Sequence, residues 1–159
     1  MSSEWVKKSY WGIVKAEHFI GHFLLLVIRL YWGGLLVLAG LGKLGNASEV
    51  ASFFEGIHIP FPLLAVYLVG IFEFLGGISL FFGFFTRIMT IPLVVIFVVA
   101  YFSAHGESLV TFFSNPSLFV MQAPFLFLYT TLVVLSFGSG MISVDYWLEK
   151  RGYNKDLSF

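Results

Sequence analysis

Apolar residues run almost unbroken through four stretches of the chain, at 22–42, 63–83, 86–104 and 117–138. A helix crosses the roughly 30 Å hydrocarbon core of a bilayer with about 20 residues. Backbone polar groups cannot be left open in lipid, so the pattern predicts four spanning helices rather than strands or loops. The first stretch does not read as a cleaved signal peptide, because it is too long and Arg29 interrupts it. The expected fold is all-α: an integral membrane four-helix bundle with short interfacial helices, forming a single membrane domain over 1–159.

The segments between spans carry their own signals. Asn46 followed by Glu49 is a capping-box spacing, and Val50, Phe53 and Phe54 share one helical face. A short surface helix is expected from Ala47 to Glu55. The run Gly56-Ile57-His58-Ile59-Pro60-Phe61-Pro62 should turn the chain into the second span. The connection from Phe84 to Arg87 is tight, so spans two and three are antiparallel neighbours. Asn115-Pro116 suits a cap and first-turn proline for the fourth span. Pro92 and Pro124 fall inside predicted helices and predict bends. Residues 144–151 suit an interfacial helix with Trp147 and Leu148 towards lipid, and the N-terminal segment with Trp5, Tyr10 and Trp11 suits another.

Charge fixes an expected orientation. Lys7, Lys8 and Lys15 precede the first span, Arg87 lies between the second and third, and Lys150, Arg151 and Lys155 follow the fourth. Four crossings put all seven on one side and leave Lys43 on the other. The positive-inside rule makes the first side cytoplasmic, with both termini there, in a bacterial inner (cytoplasmic) membrane.

Composition supports the same class. The chain is 58% hydrophobic and 11% charged, with 20 Phe, too little polar surface for a soluble domain this small. Net charge is zero and no basic tract points to nucleic acid. The absence of cysteine excludes disulfides, thiolate catalysis and cysteine-ligated iron–sulfur clusters.

Polar residues inside apolar stretches are the candidates for function, because an intramembrane charge is costly. Arg29 and Glu73 lie near the centres of their stretches and are expected to pair. The pair could orient two helices, anchor a headgroup or serve as a proton site. Lys43, His58 and His105 should surround the outer mouth of the bundle. Lys43 also suits a lysine snorkelling to the interface. His58 and His105, with Glu55 and Glu107, lack ligand spacing such as His-x-x-x-His, so no metal site is expected. Haem ligation by His22 and His105 fails because they should lie on opposite sides. Arg87 and Asp145 are expected to pair on the cytoplasmic side. Gly33 and Gly40, and Gly70 and Gly77, recur at seven-residue spacing, which suits close helix packing. A homo-oligomer contact is the alternative use of these glycines.

Several of these elements together resemble the DoxX family. They are Arg29 with Gly33, Gly42-Lys43-Leu44, Phe53-Phe54-Glu55-Gly56, Pro60-Phe61-Pro62, Glu73-Phe74-Leu75-Gly76-Gly77, Leu80 through Arg87, and Ser143-Val144-Asp145. The resemblance runs from Leu26 to Asp145. It implies a four-helix membrane protein. Family members are linked to membrane redox systems, including a subunit of a thiosulfate:quinone oxidoreductase, and others are distantly similar to membrane chaperones. The expected function is therefore an accessory subunit of a redox complex, not catalytic alone, binding quinone or lipid and docking on membrane redox partner proteins. The alternative is a non-enzymatic assembly, chaperone or scaffold protein. A small transporter would need oligomerisation. An apolar cavity beside Glu73, opening outward or to lipid, is the expected ligand site.

Overall fold

The computed structural model describes residues 2–152. The elements are α1 (Ser2–Gly45), α2 (Ala47–Gly56), α3 (Pro62–Phe82), α4 (Thr86–Ala104), α5 (Gly106–Val110), α6 (Pro116–Val120), α7 (Ala123–Phe137) and α8 (Val144–Lys150). The described residues form an all-α bundle, and the apolar helices make this an integral membrane protein. Three segments are long and apolar enough to span: Phe19–Gly45, Pro62–Phe82 and Thr86–Ala104.

The N-terminal segment is not a separate interfacial helix. It continues into the first span as one 44-residue helix, about 66 Å long at 1.5 Å per residue. Nothing between Trp11 and His22 supplies a proline or a turn dipeptide to stop it. Lys155 lies outside the described residues. The fourth expected span is broken. α6 stops at Val120, and α7 begins at Ala123 and covers 15 residues, about 22 Å. Gln122 takes the extended conformation of a helix N-cap, and Pro124 falls in the first turn of α7 instead of bending it. Pro92 does lie inside α4.

α1 and α3 pack antiparallel along glycines. A Cβ on Gly33 would lie 2.9 Å from the Phe81 backbone nitrogen, and one on Gly40 would lie 2.5 Å from that of Phe74. Gly77 and Gly70 answer from α3: a Cβ on Gly77 would meet the Val37 nitrogen at 2.6 Å, and one on Gly70 the Leu44 side chain at 2.9 Å. In lipid, helices associate through such close backbone approach rather than through hydrophobic burial. A second seam joins α4 to α7 and α3. Leu36, Leu80, Leu93, Phe97 and Val134 form the buried apolar core. Phe97 stacks on Phe127 at 5.5 Å between ring centroids. Phe81, Phe82 and most of the outward α4 residues are exposed, as a lipid-facing surface requires.

The turns are specific. α3 ends at Gly83 with φ +70°, and Phe85 also has positive φ before α4 starts. Asn46 does not close a capping box. Its side-chain amide donates back to the Gly42 carbonyl at 3.0 Å, so it extends the end of α1 rather than capping α2. Ser143 does cap α8, accepting from the Tyr146 N–H at 3.1 Å. Trp147 on α8 is exposed while Leu148 is half-buried, so only the first faces outward.

Candidate functional site

Two separate polar stations occupy the bundle. The first lies near the middle of α3. The Glu73 side chain is 5% exposed and accepts from Lys43 Nζ through Oε2 at 2.5 Å, whereas the Lys43 side chain remains 26% exposed. Lys43 is in the last turn of α1 and reaches down along its aliphatic stem to the carboxylate. The Lys43 side chain is thus the accessible half of an otherwise buried pair.

The second station is Arg29, which is 1% exposed. Its Nε donates to the Leu80 carbonyl at 2.9 Å, and Nη1 donates to the carbonyls of Ser139 and of Ile142, the latter at 3.1 Å. Leu80 is in the last turn of α3, and Ser139 follows the end of α7. The final carbonyls of a helix have no intrahelical partners and carry its negative dipole end. One guanidinium therefore ties α1 to the end of α3 and to the 138–143 connection between α7 and α8.

Arg29 and Glu73 form no ion pair with each other among the described residues. The expectation assumed that each apolar stretch is centred in the bilayer. The register is instead set by the glycines, Gly33 facing Gly77 and Phe81, and Gly40 facing Gly70 and Phe74. This puts Arg29 level with the end of α3, about ten residues or 15 Å along its axis from Glu73. That gap exceeds the reach of an arginine, and Lys43 is the cation brought to Glu73. The signal was present in the matched seven-residue glycine spacings, read as an antiparallel pair.

Arg87 and Asp145 form no ion pair among the described residues either. Asp145 instead accepts from the N–H groups of Phe85 at 2.7 Å and Thr86 at 3.1 Å, and from Thr86 Oγ1 at 2.8 Å. It supplies the start of α4 with the acceptor that its own preceding residue, Phe85, cannot. Its N–H in turn donates to the Gly83 carbonyl at 2.8 Å. This role was missed because the capping residue lies about sixty positions away in sequence.

Lys43, His58 and His105 share one end of the bundle, since α1 and α4 end there and α3 begins there. His58 is an exposed turn residue with φ 61°. His105 caps the end of α4 and sits 6.1 Å from the Tyr101 ring. Among the described residues, no three His, Cys, Asp or Glu side chains converge as metal ligands would. An open concavity of about 800 Å³ lies at the opposite end, between His22, the start of α4, the end of α7 and α8.

Compared with known families, residues 24–106, just over half of the chain, match the model described as DoxX. Comparisons with curated proteins and with solved structures returned no match.

Proposed function

The chain belongs to the DoxX family, and on that premise we propose that it is an accessory subunit of a membrane redox complex that holds a quinone headgroup at the Lys43–Glu73 pair. The observation that supports this reading is the pair itself. It joins a donor from the last turn of α1 to an acceptor near the middle of α3, with the Glu73 side chain buried and the Lys43 side chain partly open. An intramembrane ion pair is a default candidate for a functional site. The Lys43 ammonium can donate to a quinone carbonyl oxygen. Glu73 can exchange a proton with the hydroxyl that forms when that carbonyl is reduced. The chain has no cysteine to carry electrons, so the electrons would pass through a partner protein while this chain positions the headgroup.

In this reading the protein sits in a bacterial inner membrane with both termini cytoplasmic, as the sorting of its basic residues supports. The test is thermal unfolding in mild detergent with a short-chain quinone analogue. At a hundredfold excess over Kd, binding would add about 2.7 kcal/mol, a rise of roughly 5–10 °C for a chain of this size. Lys43→Met should abolish most of that rise. No rise in the unmodified protein would contradict quinone binding and favour the assembly or scaffold reading.

A further inference from the structure

We propose that the concavity at the Arg87 end of the bundle is a site for an anionic phospholipid, with the Arg87 guanidinium on the phosphate and the adjoining apolar wall against the first part of an acyl chain. Depth is the first argument. α3 has 21 residues, about 31 Å, which matches the hydrocarbon thickness. Its end therefore marks the hydrocarbon boundary, and Arg87, in the first turn of the returning α4, stands at that boundary, within reach of the headgroups. Exposed Tyr146 and Trp147 on α8 sit at this same end, where interfacial aromatics belong.

Charge is the second argument. Arg87 is exposed, and its side chain makes no hydrogen bond or ion pair among the described residues. It lies across Gly138, where a Cβ would be 3.3 Å from the guanidinium. It is also in the first turn of α4, the positive end of that helix dipole, so its charge is uncompensated from its own helix. Of the two acids of the wall, Asp145 has both oxygens engaged by Phe85 and Thr86 and its charge lies within electrostatic reach of the buried Arg29 guanidinium. Glu149 is exposed at the rim. A guanidinium with free donors recognises phosphate oxygens.

Shape is the third argument. The space, about 800 Å³, joins Arg87 to Ile88, Phe137 and Met141. These are 59%, 73% and 43% exposed. A cationic point beside an apolar wall at the membrane surface fits an amphiphile with a phosphate head. Free phosphate shares the headgroup chemistry but leaves the wall unused.

The test supplies phosphatidylglycerol or phosphatidylcholine to the detergent-purified protein and reads retained lipid by native mass spectrometry. Phosphatidylglycerol should be retained over phosphatidylcholine. Arg87→Gln should cut its retention about fivefold, and Arg87→Lys should keep part of it. The melting temperature of Arg87→Gln in detergent supplied with phosphatidylcholine should be unchanged, because among the described residues the exposed side chain makes no hydrogen bond or ion pair that the fold would lose. Equal retention of the two lipids, or equal retention by Arg87→Gln and the unmodified protein, would overturn the proposal. So would displacement of phosphatidylglycerol by millimolar inorganic phosphate, which would assign the site to the free anion.

Discussion

Gly40→Ala should loosen the α1–α3 seam more than Gly33→Ala, the other α1 glycine packed on the α3 backbone. The new Cβ would stand 2.5 Å from the Phe74 nitrogen, 2.7 Å from the Gly70 carbonyl oxygen and 2.9 Å from the Phe74 Cα. Ordinary carbon contacts begin near 3.5 Å, so the helices must part by about 1 Å. All three atoms are backbone, so no side chain can rotate away. Overpacking of this kind costs about 1–3 kcal/mol, and a backbone-to-backbone clash belongs at the upper end. For a chain of this length that is a fall of roughly 5–10 °C in melting temperature. Gly42→Ala is the control, because a Cβ there meets nothing within 4 Å. Alanine there should be neutral or slightly stabilising through helix propensity. Thermal melts of both variants in the same detergent decide the matter. If Gly40→Ala melts at or above Gly42→Ala, the glycine register is wrong, and with it the separation of Arg29 from Glu73.

Arg29→Met should cost about 3 kcal/mol or more in detergent melts, because it strips the charged donor from three carbonyls. Arg29→Lys should not rescue it, since one ammonium cannot reproduce the fork that reaches Leu80 and Ser139 together. Asp145→Ala should cost about 1–2 kcal/mol through loss of the α4 cap, read as a lowered melting temperature. Cysteine placed at Ser48 should react with an impermeant thiol reagent from outside intact cells, whereas cysteine at Ser3 should not. The opposite labelling would reverse the topology.

Much of the architecture was legible from apolar runs alone. Spans at 63–83 and 86–104 agree with α3 and α4 within a residue, since nothing but a helix satisfies a backbone in lipid. The helix break in the fourth stretch was not foreseen because 117–138 carries no charge and is apolar on average, although polar Gln122, followed by Pro124, marks where α6 gives way to α7. The site was legible in its residues but not in its pairing. Charge inside an apolar stretch marked Arg29 and Glu73, Lys43 was placed at the outer mouth, and Asp145 was expected to pair with Arg87. Which of them meet depends on axial register, and register is carried by the Gly33, Gly40, Gly70 and Gly77 contacts rather than by the centre of each apolar run. The roles of Arg29 and Asp145 as ligands of backbone groups left no sequence signal, because the carbonyls and N–H groups they bind belong to no particular residue type.

A double-mutant cycle tests the central claim, that Glu73 is coupled to Lys43 and not to Arg29. Melting free energies would be measured for Lys43→Met, Glu73→Gln, Arg29→Met and the two double variants that include Glu73→Gln. The Lys43–Glu73 cycle should show a coupling of about 1–3 kcal/mol, as for residues in direct contact. The Arg29–Glu73 cycle should be additive to within about 0.5 kcal/mol, as for residues more than about 10 Å apart. Strong coupling between Arg29 and Glu73, with additive losses for Lys43 and Glu73, would contradict the account.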